Sequence, residues 1–175
     1  MIAIEERKDY LNSLGLRNAD NTETEDYNCG GEALGTYSFY MPYNGDTEDQ
    51  EDKIAELIDQ EYSREEIYMF LLAEYTDFML SDFPNLRVLS NPTEIKSNER
   101  LIYFRIGFEL EGLDDEGYYD CVHFDFHYRY FEDGHWYEKC GECDGRQICD
   151  NDMEGDWECG YNIYDSRTVY LALEI

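Results

Sequence analysis

The sequence predicts an α+β fold in which N-terminal helices pack on a mainly antiparallel sheet, and three features of the 175 residues predict it. Apolar residues recur at spacings of three and four before Pro84 and at spacings of two after it. The strand-like runs are joined by short turn sequences, which suits hairpins rather than helical crossovers. A content of 42% hydrophobic and 16% aromatic residues is enough for one core. The chain is therefore expected to form a single domain, with a helical half over about 1–82 and a sheet half over about 86–175.

Each element has its own signal. The segment before Asp26 is polar, with a short apolar pattern at Tyr10, Leu11, Leu14 and Leu16 that defines no clear element. Over residues 29–41, Ala33, Leu34, Tyr37 and Tyr40 fall on one helical face, and Pro42 ends the run. Residues 46–59 and 63–81 read as two further helices. In the second, Ser63 and Glu66 make a capping box, and Ile67, Phe70, Leu71, Tyr75, Phe78 and Met79 make the core face. "LRVLS" is a short strand, and in "LIYFRIGFEL" Ile102, Phe104, Ile106 and Phe108 alternate with Tyr103, Arg105 and Gly107. "YYDCVHFDFHYRYFEDGHWYEKC" reads as a hairpin through a type I′ turn at Asp133-Gly134, and "TVYLALEI" is the last strand. Residues 141–160 are polar and glycine-rich and are expected to be irregular.

Forty-two acidic residues against 13 basic ones give a formal net charge of -29, spread from Glu5 to Glu174. Such a field repels nucleic-acid phosphates and anionic membranes and attracts a basic protein or peptide, so a basic partner is expected and direct nucleic-acid binding is not. No stretch has the ~20 apolar residues of a membrane span. The N-terminus lacks the apolar core of a signal peptide. A cytoplasmic location is expected, with the six cysteines as reduced thiols, metal ligands or a nucleophile rather than a disulfide framework.

Two constellations carry chemistry. Cys29 opens a helix-like run and is followed by Gly30 and Gly31, a position where a thiolate is stabilised and a substrate can approach. Asn28 offers a side-chain donor to the same site, or an N-cap; Cys29 is either a nucleophile or a packed helix cysteine. The histidines His123, His127 and His135 all lie in the predicted hairpin. A two-residue turn pairs Glu132 with His135 and sets His127 opposite Cys140, with Glu138 diagonal to His127 on the same face. His127 is then the candidate base and Glu138 its orienting partner, with His123 as the alternative base and His135 exposed beside the turn. The second constellation is Cys140, Cys143, Cys149 and Cys159, which begins with the C-x-x-C spacing of a zinc site but does not repeat it. Free thiols in a surface loop are the other reading.

"YNCGGEALGTYSFYMPY", "DFPNLRVL", "FDFHYRYFEDGHWYEKCGE" and "YDSRTVYLAL" resemble successive blocks of a family of uncharacterised proteins from tailed phages and gut Firmicutes. More distantly, the histidine block is similar to one in the papain-like and NlpC/P60-like superfamily. The resemblance implies a papain-like fold, with Cys29 as nucleophile and His127 as base. Glu138 falls where distant relatives carry histidine, so Asp165 and Asn162 are alternatives for the third role. A Cys-His-Glu thiol hydrolase acting on peptides or amides is one expectation. The other is a non-enzymatic phage inhibitor of anti-restriction or anti-CRISPR type, whose carboxylates mimic nucleic acid and occupy a basic host nuclease. An inactivated hydrolase scaffold would combine the two.

Overall fold

Two long strands frame the molecule. The computed structural model describes residues 27–36, 39–113, 119–141 and 145–175. Within it β2 (Glu99–Leu113) and β3 (Tyr119–Glu132) pair antiparallel from Leu101↔Phe131 to Leu113↔Tyr119. With β1 (Leu86–Leu89), β4 (His135–Glu138), β5 (Arg146–Ile148) and β8 (Val169–Glu174) they form one antiparallel sheet in the order β1-β8-β2-β3-β4-β5. The C-terminal strand is thus internal, inserted between β1 and β2. A separate two-stranded hairpin holds β6 (Trp157–Cys159) and β7 (Asn162–Tyr164).

The helices lie on one face of the large sheet: α1 (Cys29–Ala33), α2 (Thr47–Asp59) and α3 (Arg64–Asp82). Both longer helices start at capping boxes, Asp46 with Asp49 and Ser63 with Glu66, which satisfy backbone N–H groups that have no partner within the helix. The expected helix over 29–41 is much shorter than its apolar spacing suggests. It stops at Ala33 because Leu34 is already its C-cap and Gly35 has φ +70°. Tyr40 is buried all the same, while Tyr37 and the apolar pattern before residue 26 lie outside the described residues. On α3, Tyr68 and Leu72 join Ile67, Leu71, Tyr75 and Met79 in the core. Phe70 instead lies 40% exposed against the edge of Tyr62, and Phe78 is half-buried. The core stripe of α3 is therefore rotated from the one expected, and Phe70 is a correction to it.

Strand alternation sorts the sheet into two faces. Ile102, Phe104, Ile106 and Phe108 of β2 share the helix-side core with Phe124, Phe126, Tyr128 and Tyr130 of β3. The other face carries Tyr103, Arg105 and Gly107 of β2, paired in register with Arg129, His127 and Asp125 of β3. The β6–β7 hairpin covers it. Trp157 and Tyr164 are 1% and 2% exposed, and Asp125 Oδ2 accepts hydrogen bonds from the Tyr164 hydroxyl at 2.6 Å and the Asn162 amide at 2.8 Å. These contacts make residues 145–160 more regular than the composition of 141–160 suggests. Three short strands and a 3-10 turn at Asp150–Met153 draw on that stretch or border it.

The edge of β3 beyond β4 is not left open. Glu51 of α2 accepts a hydrogen bond from the Phe124 backbone N–H at 3.0 Å, which occupies a donor on that exposed edge.

Gly107 is where the hairpin meets the sheet, since a Cβ there would overlap the Ile163 carbonyl oxygen. Gly107→Ala should therefore displace the hairpin at a cost of about 1–3 kcal/mol. Urea unfolding followed by tryptophan emission checks this, and an unchanged midpoint would mean that β7 does not seat on β2.

Candidate functional site

The outer sheet face is organised by one carboxylate. The turn residues Asp133 and Gly134 both have positive φ, +50° and +84°, as a type I′ turn requires, and β4 pairs with β3 as Glu132↔His135 through Arg129↔Glu138. On the far side β4 pairs with β5 as Glu138↔Arg146. Arg129, Glu138 and Arg146 therefore form a row across three strands. The expected neighbourhood of His127 and Glu138 forms with it, because the register is the one a two-residue turn dictates.

Glu138 is fully buried. Its Oε2 accepts from His127 Nε2 at 3.0 Å and from Arg129 Nε at 2.7 Å, and its Oε1 accepts from Arg146 Nε at 2.9 Å and from Arg146 Nη2. Burial pushes the Glu138 pKa upward, but the His127 and Arg146 hydrogen bonds and the Arg129 charge outweigh it and hold the group at about 2. An ionised carboxylate only accepts, so Nε2 of His127 carries the proton in this network. The ring stacks on Tyr164 with centroids 4.9 Å apart and meets Trp157 edge-on. The guanidiniums of Arg105 and Arg129 lie 4.3 and 4.5 Å from the Trp157 ring centre. Beside this cluster is a groove of about 410 Å³ lined by Arg129, Glu138, Arg146, Asp152 and Glu158 among others.

Cys29 does not belong to this cluster. It lies in the helix-side core, 6% exposed, with its Sγ 3.9 Å from the Phe126 carbonyl oxygen. Burial raises its thiol pKa to about 12, above the partial offset from the Tyr128 backbone N–H, so at neutral pH it is a thiol and not a thiolate. His127 points from the opposite face of β3. No hydrogen bond joins Cys29 to His127: Cys29 packs with Phe126 and Tyr128, whose side chains lie on the other face of β3 from the His127 ring. The remaining reading of Cys29, a packed cysteine, fits the structure.

Asn28 is likewise fully occupied. Its Oδ1 accepts from the backbone N–H groups of Gly31 and Tyr40 at 3.0 and 3.1 Å, and its Nδ2 donates to the Tyr40 carbonyl at 2.9 Å. It is the N-cap of α1 and a clamp on the loop to Tyr40, not a free oxyanion donor. The two alternatives for the third role are engaged elsewhere. Asp165 accepts from Arg64 and Tyr68, and Asn162 donates to Asp125. His123 is exposed at the far end of the hairpin, with Nε2 3.0 Å from Glu111 Oε2. His135 is exposed, as expected.

Of the four cysteines expected to hold zinc, three are among the described residues. Cys140 and Cys159 form a disulfide, which also corrects the expectation of reduced thiols; Cys149 is exposed and free, and Cys143 lies outside the described residues. The ligand atoms of His127, Cys140 and Cys159 do lie within 4.8 Å of one another. Arg129 and Arg146 are the residues that sequence reasoning missed. The two-residue spacing from His127 puts Arg129 on its face, whereas Arg146 sits on a strand too short and polar to carry a period.

No protein-family model, curated protein or solved structure matches this chain, so the site's chemistry rests on its own residues. No helix among the described residues is long and apolar enough to cross a membrane. Two outcomes test the geometry. Glu138→Gln should cost about 3–5 kcal/mol in chemical denaturation, because it strands buried Arg129, while Arg146→Gln, whose side chain is 62% exposed, should cost less than about 1 kcal/mol. In native protein at pH 8, iodoacetamide should label Cys121 and Cys149 and leave Cys29 unlabelled until the chain is unfolded. Rapid native labelling of Cys29 would contradict its burial.

Proposed function

We propose that this chain is a non-enzymatic, strongly acidic binding protein that docks on a basic, nucleic-acid-binding surface of an enzyme such as a nuclease. The observation that carries this reading is the outer ridge of α2. Glu48, Asp52, Glu56 and Asp59 are all exposed and follow one another at helical spacings of three and four, so they form one row spaced by roughly a 5.4 Å turn. Lys53, the only basic residue in α2, is held in an ion pair with Glu74 of α3.

Apart from Glu48, whose place in the first turn suits the dipole, this row works against the helix that bears it. Like charges at i,i+4 destabilise a helix by about 0.2–0.5 kcal/mol per pair, and Asp59 adds a negative charge at the negative end of the dipole in a last turn without a basic residue. Helix stability does not call for this row; a cationic partner does. A uniform surplus of charge would serve solubility, but an aligned row offers repeated contacts to a basic groove and draws it in from a distance. A thiol hydrolase requires an accessible thiolate next to its base, and a buried neutral Cys29 on the other face from His127 supplies neither.

Fluorescence anisotropy with a labelled arginine-rich peptide, followed by competition with duplex DNA for a basic nuclease, tests the reading. Affinity should fall steeply with salt. The variant Glu48→Gln/Asp52→Asn/Glu56→Gln/Asp59→Asn should bind about tenfold more weakly than one neutralising Asp150, Glu154, Asp156 and Glu158. Equal losses would make the charge a uniform field rather than a docking ridge. Failure to displace DNA would remove the nucleic-acid-like part of the proposal.

A further inference from the structure

We propose that His127, Cys140 and Cys159 form a redox-gated zinc site that is closed while the two cysteines are joined and opens when they are reduced. Three observations converge on it. The ligand atoms of the three residues already lie within 4.8 Å of one another. Two thiolates on one tetrahedral Zn²⁺ stand about 3.8 Å apart, given Zn–S bonds of ~2.3 Å. The Cα atoms of Cys140 and Cys159 are 5.9 Å apart, so the thiolates reach that separation by side-chain rotation.

The second observation is the orientation of the histidine. Nε2 of His127 is committed to Glu138, which is fixed in turn by Arg129 and Arg146. In the tautomer with the proton on Nε2 the lone pair is on Nδ1, and that is the nitrogen the metal would use. A carboxylate bound to the far nitrogen of a ligating histidine is the arrangement that fixes tautomer and ring direction at zinc centres. The third observation is placement. Cys140 follows β4 and Cys159 ends β6, so either link ties the covering hairpin to the main sheet. The metal would replace a covalent tie with a coordinate one.

The chemistry balances in two steps. A dithiol reductant transfers two electrons to the disulfide, becoming a disulfide itself and leaving Cys140 and Cys159 as thiols. Zn²⁺ then binds both sulfurs as thiolates with release of two protons, and Nδ1 of His127 adds the third bond, leaving a fourth position for water. The site keeps half of the cysteine set expected from the sequence and replaces Cys149 with a histidine from the neighbouring strand.

Cobalt titration of the full chain tests this, in a Cys121→Ser/His123→Ala background that removes the exposed Glu111, Cys121 and His123 cluster. Protein reduced with a phosphine should bind one equivalent of Co²⁺ with a thiolate-to-cobalt charge-transfer band and tetrahedral d–d bands, and Zn²⁺ should displace it with loss of both. Oxidised protein should show neither. Cys159→Ser should halve the charge-transfer intensity, and His127→Ala should change the d–d spectrum and weaken binding at least tenfold; circular dichroism identifies a variant that does not fold, in which case Cys159→Ser decides alone. Cobalt binding that is equal in oxidised and reduced protein, or untouched by Cys159→Ser, would overturn the proposal, as would a reduced protein that takes up no cobalt.

Discussion

A buried carboxylate shared by one histidine and two arginines is the interaction on which the outer half of this molecule depends. Burying a charge is unfavourable unless its hydrogen-bonding capacity is filled and opposite charge is close. Glu138 meets both conditions because β3, β4 and β5 deliver Arg129, Glu138 and Arg146 in one row. Arg129 extends the arrangement outward: it lies on Trp157 and donates to the Asp152 carbonyl, so the carboxylate also positions the segment that leads into the β6–β7 hairpin. Replacing the row with apolar residues of similar volume could leave stability unchanged, but would remove what orients His127.

The same sheet that builds this cluster separates it from Cys29. Six strands stand between two chemically different compartments. The helix side is aromatic and dry, with Tyr43, Tyr75, Phe124, Phe126 and Tyr128 around a neutral thiol. The hairpin side gathers the buried and half-buried cations Arg105 and Arg129 over Trp157, with His127 and the one disulfide nearby. The charged ridge on α2 and the Cys140–Cys159 disulfide on the opposite face are independent features, and neither requires the other.

The fold was legible to the extent that local chemistry sets it. Asp46 and Ser63 mark the starts of α2 and α3 because each accepts from the N–H three residues on. Asp133-Gly134 sets the register that brings Glu138 to His127, because only such residues enter a type I′ turn without strain. The three-residue strands β5, β6 and β7 were hidden, since so short a polar run has no period and their pairing is decided by burial of Trp157 and Tyr164 against residues far away in sequence. The mismatch of Cys29 and His127 was in principle readable. Phe124, Phe126 and Tyr128 share the parity of the core face, so a histidine at 127 faces away from any helix packed there. The end of α1 at Ala33 and the rotated stripe of α3 were not readable, because helical spacing continues past the first and fits two adjacent rows on the second.

The most direct test of the Glu138-centred account is the protonation pattern of the His127 ring, read by long-range ¹H–¹⁵N correlation NMR at neutral pH. The account predicts a proton on Nε2 that exchanges slowly with water and shows coupling across its hydrogen bond to the Glu138 carboxylate. An Nε2 without a proton, or an Nε2–H in fast exchange with solvent, would contradict it and would free His127 for another partner.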